Sequence, residues 1–253
     1  MKLQKLYFKN RDGLDLSAQL DLPSDGKPVA YALFAHCFTC SKNLKAISYI
    51  SRSLVAEGIA ILRFDFTGLG ESEGDFSDTN FSSNKDDLIS AAEFLGKEYE
   101  PPKILIGHSL GGAAVLLAAE RIPSTKAVAV INAPSEPTHL IIHLESKREE
   151  IEEKGEAEIS IAGRTFKIKK QLLEDLEQNH MEGKIRNLRK PLLILHSPTD
   201  NVVGIDNATR IFINAKHPKS FVSLDKADHL LSDQSDSLYA GSLIATWVKK
   251  YVN

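Results

Sequence analysis

The chain has 253 residues, a formal net charge of −3 from 31 Lys and Arg against 34 Asp and Glu, and 42% hydrophobic residues. That length supports one large core or two small ones, and the near-neutral charge excludes a basic field for nucleic acid. The apolar runs fall far short of the roughly 18 residues of a membrane span, the first ten residues lack the apolar stretch of a secretory leader, and two cysteines exclude a disulfide-stapled scaffold and suit a reducing cytoplasm.

Residues 3–22 read as two strands around a turn at Asp12-Gly13, the second alternating with period two. From Ala30 the pattern changes to short apolar runs, without polar alternation, at 31–36, 60–66, 103–107, 127–133, 191–197 and 220–224. Such runs suit strands buried on both faces. Helix-length stretches separate them at 44–57, 84–97, 109–121, 204–215 and 235–251, the first with Ile47, Ile50, Leu54 and Val55 at helical spacing before Gly58. Strand–helix alternation predicts an α/β fold with a mostly parallel central sheet of about eight strands flanked by helices.

One stretch departs from this rhythm. Between Ala133 and Pro191 lie about 57 residues, more than a single crossover helix needs. They hold an apolar segment (139–144), a charge-dense helix (145–156), a hairpin around Gly163 and a further helix over KQLLEDLEQ. The reading is an inserted lid at about 135–188.

Gly107-His108-Ser109-Leu110-Gly111 follows the run KILIG and opens a helix, which is G-x-S-x-G in its strand–turn–helix context. A serine nucleophile needs a base, and the base an orienting carboxylate. Asp200 follows the run PLLILHS, and His229 follows SFVSL one strand later, both past a strand's carboxyl end. Ser109, His229 and Asp200 are therefore the expected nucleophile, base and acid. Asp225 and Asp228 are weaker choices for the acid, because both crowd His229 in sequence.

On these residues the sequence resembles the α/β-hydrolase superfamily over essentially its whole length, residues 1–253 forming a single domain with its inserted lid. More narrowly it is similar to bacterial serine esterases of the cinnamoyl/feruloyl esterase and acylaminoacyl-peptidase-like type. These carry an HGFTG-like loop, here His36-Cys37-Phe38-Thr39-Cys40, and a D-x-x-G-x-G-x-S loop, here from Asp65 to Ser72. It also resembles hydrolase domains that some bacteria fuse to organic-hydroperoxide reductases. The resemblance implies an oxyanion hole formed by the Phe38 and Leu110 N–H groups, and a metal-free, cofactor-free serine hydrolase acting on small or aromatic esters. A peptidase or thioesterase with the same triad is an alternative, as is a non-catalytic module partnering a hydroperoxide reductase. Leu140, Ile141, Ile142 and Leu144 are expected to form an apolar acyl or aryl wall. The expected partner is a small-molecule ester, with no nucleic acid and no membrane.

Other residues have plainer readings. Cys37 and Cys40 form a C-x-x-C, which suggests redox or metal chemistry, but no second such pair exists. They are read as small residues at glycine positions, with oxidation sensitivity near the oxyanion loop as the alternative and strain at Cys37 if the first of those positions needs a positive φ. His139 and His143 have the i, i+4 spacing of a metal pair but lack the glutamate of H-E-x-x-H, so they read as lid residues. His36 and His108 read as local hydrogen-bonding groups, Asp65 and Ser72 as loop braces, and Trp247 as core packing.

Overall fold

The computed structural model describes residues 1–161 and 163–252, the side chain of His143 excepted. Lys2–Lys9 (β1) and Asp15–Leu22 (β2) pair as an antiparallel hairpin, Lys2 opposite Leu22. Then follow Ala30–Ala35 (β3), Lys45–Ala56 (α1), Ile59–Phe64 (β4), Phe81–Glu98 (α2), Ile104–His108 (β5), Leu110–Ala118 (α3) and Ala127–Ile131 (β6). The long excursion comprises His139–Leu144 (α4), Arg148–Lys154 (α5), Glu156–Ile161 (β7), Arg164–Lys169 (β8), Lys170–Gln178 (α6) and Glu182–Arg186 (α7). Leu192–His196 (β9), Asp206–Asn214 (α8), Lys219–Ser223 (β10) and Gln234–Val252 (α9) complete the chain.

Eight strands form one sheet in the order β1-β2-β4-β3-β5-β6-β9-β10, antiparallel across β1, β2 and β4 and parallel from β4 onward. β7 and β8 make a separate hairpin. The continuous apolar runs follow from burial on both faces. Alternate residues of a strand point to opposite sides, so Ala60, Leu62 and Phe64 join α2 and α3 in one core, while Ile59 and Ile61 join α1 and α9 in the other. Leu144, Ile151, Leu176 and Ile185 of the excursion extend the first core. The insertion is thus packed onto the body rather than hung from it.

α2 starts three residues ahead of the expected boundary. Asn80 accepts the Ser83 N–H at 2.8 Å and Ser83 Oγ accepts the Asn80 N–H at 2.9 Å, a capping box that fixes the first turn. Among the described residues no helix is long and apolar enough to cross a membrane.

Asp87 of α2 is buried beside a cleft of about 440 Å³, where it accepts the Thr67 N–H at 2.9 Å and Asn10 Nδ2 at 3.2 Å. Burial pushes its carboxyl from 3.8 up to about 6. A folded-state value above the unfolded one means that this group favours folding at low pH, and that the benefit is lost as pH rises through about 6. Asp87→Asn should therefore gain on the wild type by about 2–3 kcal/mol between pH 4 and pH 7.5. Urea unfolding at both pH values measures it; a constant difference would mean that Asp87 does not titrate in this range.

Candidate active site

Ser109 occupies the turn between β5 and α3 at φ 54°, ψ −129°. A residue with a Cβ rarely adopts that backbone, and the strain is held by crowding around the turn. A Cβ on Gly107 would lie 2.3 Å from the Gly111 carbonyl oxygen, and one on Gly111 would lie 2.4 Å from the carbonyl oxygens of both Ala35 and His36. Only glycine permits the elbow to pack this closely. The hydroxyl is thereby presented at the end of the sheet with the N-terminus of α3 behind it.

The loop after β9 carries Asp200 and the loop after β10 carries His229, so three strand ends converge. His229 Nε2 lies 3.0 Å from Ser109 Oγ, and its Nδ1 lies 2.7 Å from Asp200 Oδ2. All three side chains are buried. Asp200 Oδ1 accepts the N–H groups of Val202 and Val203 at 2.8 and 2.9 Å. Burial opposes its charge, but the His229 hydrogen bond and the two N–H groups outweigh burial and hold the carboxyl below its usual range. An ionised Asp200 only accepts, so His229 Nδ1 donates to it and Nε2 is left to accept from Ser109. Asp225 and Asp228 make no contact of this kind; Asp228 Oδ1 instead accepts the Ser232 N–H at 2.8 Å.

Two further residues tie the histidine loop to the turn that carries Ser109, and the sequence did not mark either for this. His108 Nε2 donates to the His229 carbonyl at 2.7 Å, and Asn132 Nδ2 donates to the same oxygen at 3.0 Å. Asn132, at φ 46°, also accepts the Ser197 N–H at 2.9 Å, reaching the loop that leads to Asp200. Burial above all, with the neighbouring His229, lowers His108 to about 3, so it stays neutral. Its hydrogen bond is not local, as expected from sequence, but spans 121 residues.

The loop from His36 to Lys42 faces the serine. Phe38 and Leu110 both line the adjoining cavity. Leu110 is the first residue of α3, so its N–H has no intrahelical partner, and among the described residues the Phe38 N–H donates to none. Two expectations about this loop are corrected. Cys37 and Cys40 are not separate small residues but a disulfide; spacing alone does not show that a turn brings their Cα atoms to 5.3 Å. The positive φ falls on Thr39, at 61°, and not on Cys37. His36 is local only in part: Nδ1 donates to the Cys37 carbonyl at 2.8 Å, while Nε2 accepts the Phe66 N–H at 3.4 Å, 30 residues away. The exit of the loop is clamped from below: Asp65 accepts the Lys42 N–H at 2.6 Å and Lys42 Nζ at 2.5 Å. Ser72 Oγ donates to the Asp65 carbonyl at 2.6 Å.

The cavity against Ser109 and His229 has a volume of about 480 Å³, within the usual range of small-molecule sites. Of the four expected wall residues it includes Leu140 alone; Ile141 and Leu144 are buried in the core and Ile142 is 68% exposed. Among the described residues α4 meets the cavity only at its first turn, through His139 and Leu140. Ile161, Val203 and Leu230 supply apolar wall that the sequence left unassigned. The His143 side chain lies outside the described residues, and among those described no group of three or more His, Cys, Asp or Glu is placed to hold a metal ion.

The esterase domain of a Rhodothermus marinus protein is 51% identical to this chain, superposes with a TM-score of 0.83, and matches over the full length of both. The chain belongs to the α/β-hydrolase superfamily. Residues 28–145 of this α/β-hydrolase match the family Hydrolase_4, serine aminopeptidase, S33. Mouse palmitoyl-protein thioesterase ABHD10, mitochondrial, is 26% identical over 91% of the hydrolase and 78% of its own length. Est1E from Butyrivibrio proteoclasticus, solved with ferulic acid bound, shares the fold at 22% identity and a TM-score of 0.81, covering 98% of this chain and 99% of its own.

Proposed function

We propose that the protein is a metal-independent serine esterase. The observation that carries this reading is the hydrogen-bonded chain from Ser109 Oγ through His229 to an ionised Asp200, set in the wall of a 480 Å³ cavity. The 51% identical esterase domain supports it. His229 Nε2 takes the Ser109 proton as Oγ attacks the acyl carbon, and Asp200 stabilises the imidazolium. The N–H groups of Phe38 and Leu110 receive the developing oxyanion. His229 then protonates the departing alcohol, and a water activated by the same imidazole releases the acid and restores Ser109. The insertion, bringing Leu140, Ile161 and their hairpin over the site, acts as the lid.

The test is hydrolysis of 4-nitrophenyl acetate, butyrate and octanoate and of a hydroxycinnamate ester, with Ser109→Ala alongside. Wild type turns over at least one of them, the variant loses about 10⁴-fold or more, and a fluorophosphonate labels only the wild type. Equal rates in both proteins with no labelling would sink the reading. The ABHD10 relatives favour a second substrate class for the same steps, a long-chain acyl thioester, so palmitoyl-CoA belongs in the panel. A higher kcat/KM on it than on octanoate would decide for a thioesterase.

A further inference from the structure

Arg164 opens β8 at the tip of the insertion hairpin and lines the same cavity as Ser109 and His229. Among the described residues of that wall it is the sole Asp, Glu, Lys or Arg; the rest is apolar, hydroxylic, histidine or the disulfide. Its guanidinium is held at two points. Nη2 donates to the Thr39 carbonyl on the oxyanion loop, and the guanidinium carbon stands 5.1 Å from the centroid of the Phe166 ring. No carboxylate among the described residues pairs with it. A fixed guanidinium with five donors, one of them spent on a carbonyl, leaves a planar fork directed at no protein acceptor. Its charge is felt nearby: after burial and the charge of Lys42, Arg164 also works to keep His36 unprotonated.

On the esterase reading above, we propose that Arg164 is a substrate-recognition residue, its free donors pairing with a carboxylate carried by the ester. A planar carboxylate matches the guanidinium fork in a way that a hydroxyl does not. Arg164 is itself exposed, so the pair forms where the cavity opens to solvent and stays sensitive to salt. The substrate class is then an ester bearing an anionic group within the reach of a 480 Å³ cavity, rather than a wholly neutral acyl ester.

Two isosteric pairs test this. Mono-4-nitrophenyl glutarate against 4-nitrophenyl pentanoate puts the charge on the acyl side; 4-acetoxybenzoate against 4-methylphenyl acetate puts it on the leaving group. For each pair the quantity read is the anionic-to-neutral ratio of kcat/KM in wild type, Arg164→Gln and Arg164→Lys. At least one ratio falls by tenfold or more in Arg164→Gln, chiefly through KM, and is partly restored in Arg164→Lys. The same ratio falls in the wild type as salt rises from 20 to 500 mM. Ratios that change less than threefold overturn the proposal, and so does an equal loss on both members, which marks Arg164 as a latch on Thr39 only. If Arg164→Gln does not fold, the wild-type salt series decides, and a flat ratio overturns it. If the wild type turns over none of the four esters, the ester panel and fluorophosphonate labelling above decide the esterase reading. The carboxylate subsite is then read by calorimetric titration of monomethyl glutarate, where absent binding, or equal affinity in Arg164→Lys and Arg164→Gln, overturns it.

Discussion

Asp200→Asn is expected to lower kcat by about 10⁴-fold without unfolding the protein. The direction of the carboxamide can be worked out from the site. Oδ1 is held by the Val202 and Val203 N–H groups, at 2.8 and 2.9 Å, so an asparagine oxygen remains there and its NH2 must face His229 Nδ1. Two donors cannot bond, and the imidazole shifts its proton to Nε2 so that Nδ1 accepts. Nε2 then carries a proton where it should receive one from Ser109, 3.0 Å away. Steady-state rates on the best ester of the panel, with thermal melting to show an intact fold, measure the effect. A loss below tenfold would mean that Asp200 does not set the tautomer.

Lys42→Met is expected to destabilise the protein by about 3–5 kcal/mol, because it strands a buried carboxylate. The side chains of Lys42 and Asp65 are 2% and 0% exposed, with Nζ 2.5 Å from Oδ2. Once solvated charges are buried, the pair is worth little against an apolar replacement, but half of it alone is costly. Asp65→Asn in the Lys42→Met background should therefore recover part of the loss, and the coupling between the two sites follows from a double-mutant cycle. The same lysine's backbone N–H rests on Asp65 and its carbonyl accepts from Arg63 Nη1, so the variant should also loosen the loop from His36 to Lys42 and, on the proposed function, lower kcat. Urea unfolding reads the stability term; a change under 1 kcal/mol would show that Asp65 is not charged in the fold.

The core elements were legible because a doubly covered parallel sheet leaves a strong signal: β3, β4, β5, β6 and β9 are buried along their whole length and mostly apolar. Ser109, Asp200 and His229 were legible for a related reason. Each directly follows such a run or lies a few residues beyond it, and placement at a strand end is visible along the chain. The start of α2 was available in principle, since Asn80 and Ser83 have capping-box spacing, but the apolar periodicity begins later. Other features depend on contacts between distant segments. Asn132 and His108 meet His229 across 97 and 121 residues, and Arg164 meets Thr39 across 125. The Cys37–Cys40 bond was hidden differently, because two cysteines suit a disulfide, a metal or neither until the turn between them is known. In the insertion, helical order was readable, while which side of α4 met the cavity depended on how the whole unit docked.

The chain leaves the sheet at Ile131 and returns at Leu192, and these two strands are immediate neighbours, with Val128 paired to Leu192. The whole excursion is therefore topologically a loop between adjacent rails, and its length is invisible to the strands on either side. Loop closure grows only slowly in cost with length. Such an arrangement separates two inheritances: the framework that aligns serine, histidine and aspartate can stay constant while the chain between the rails is lengthened, trimmed or replaced. On this plan the share of the cavity wall that Leu140, Ile161 and Arg164 supply can be rewritten within one contiguous stretch of gene.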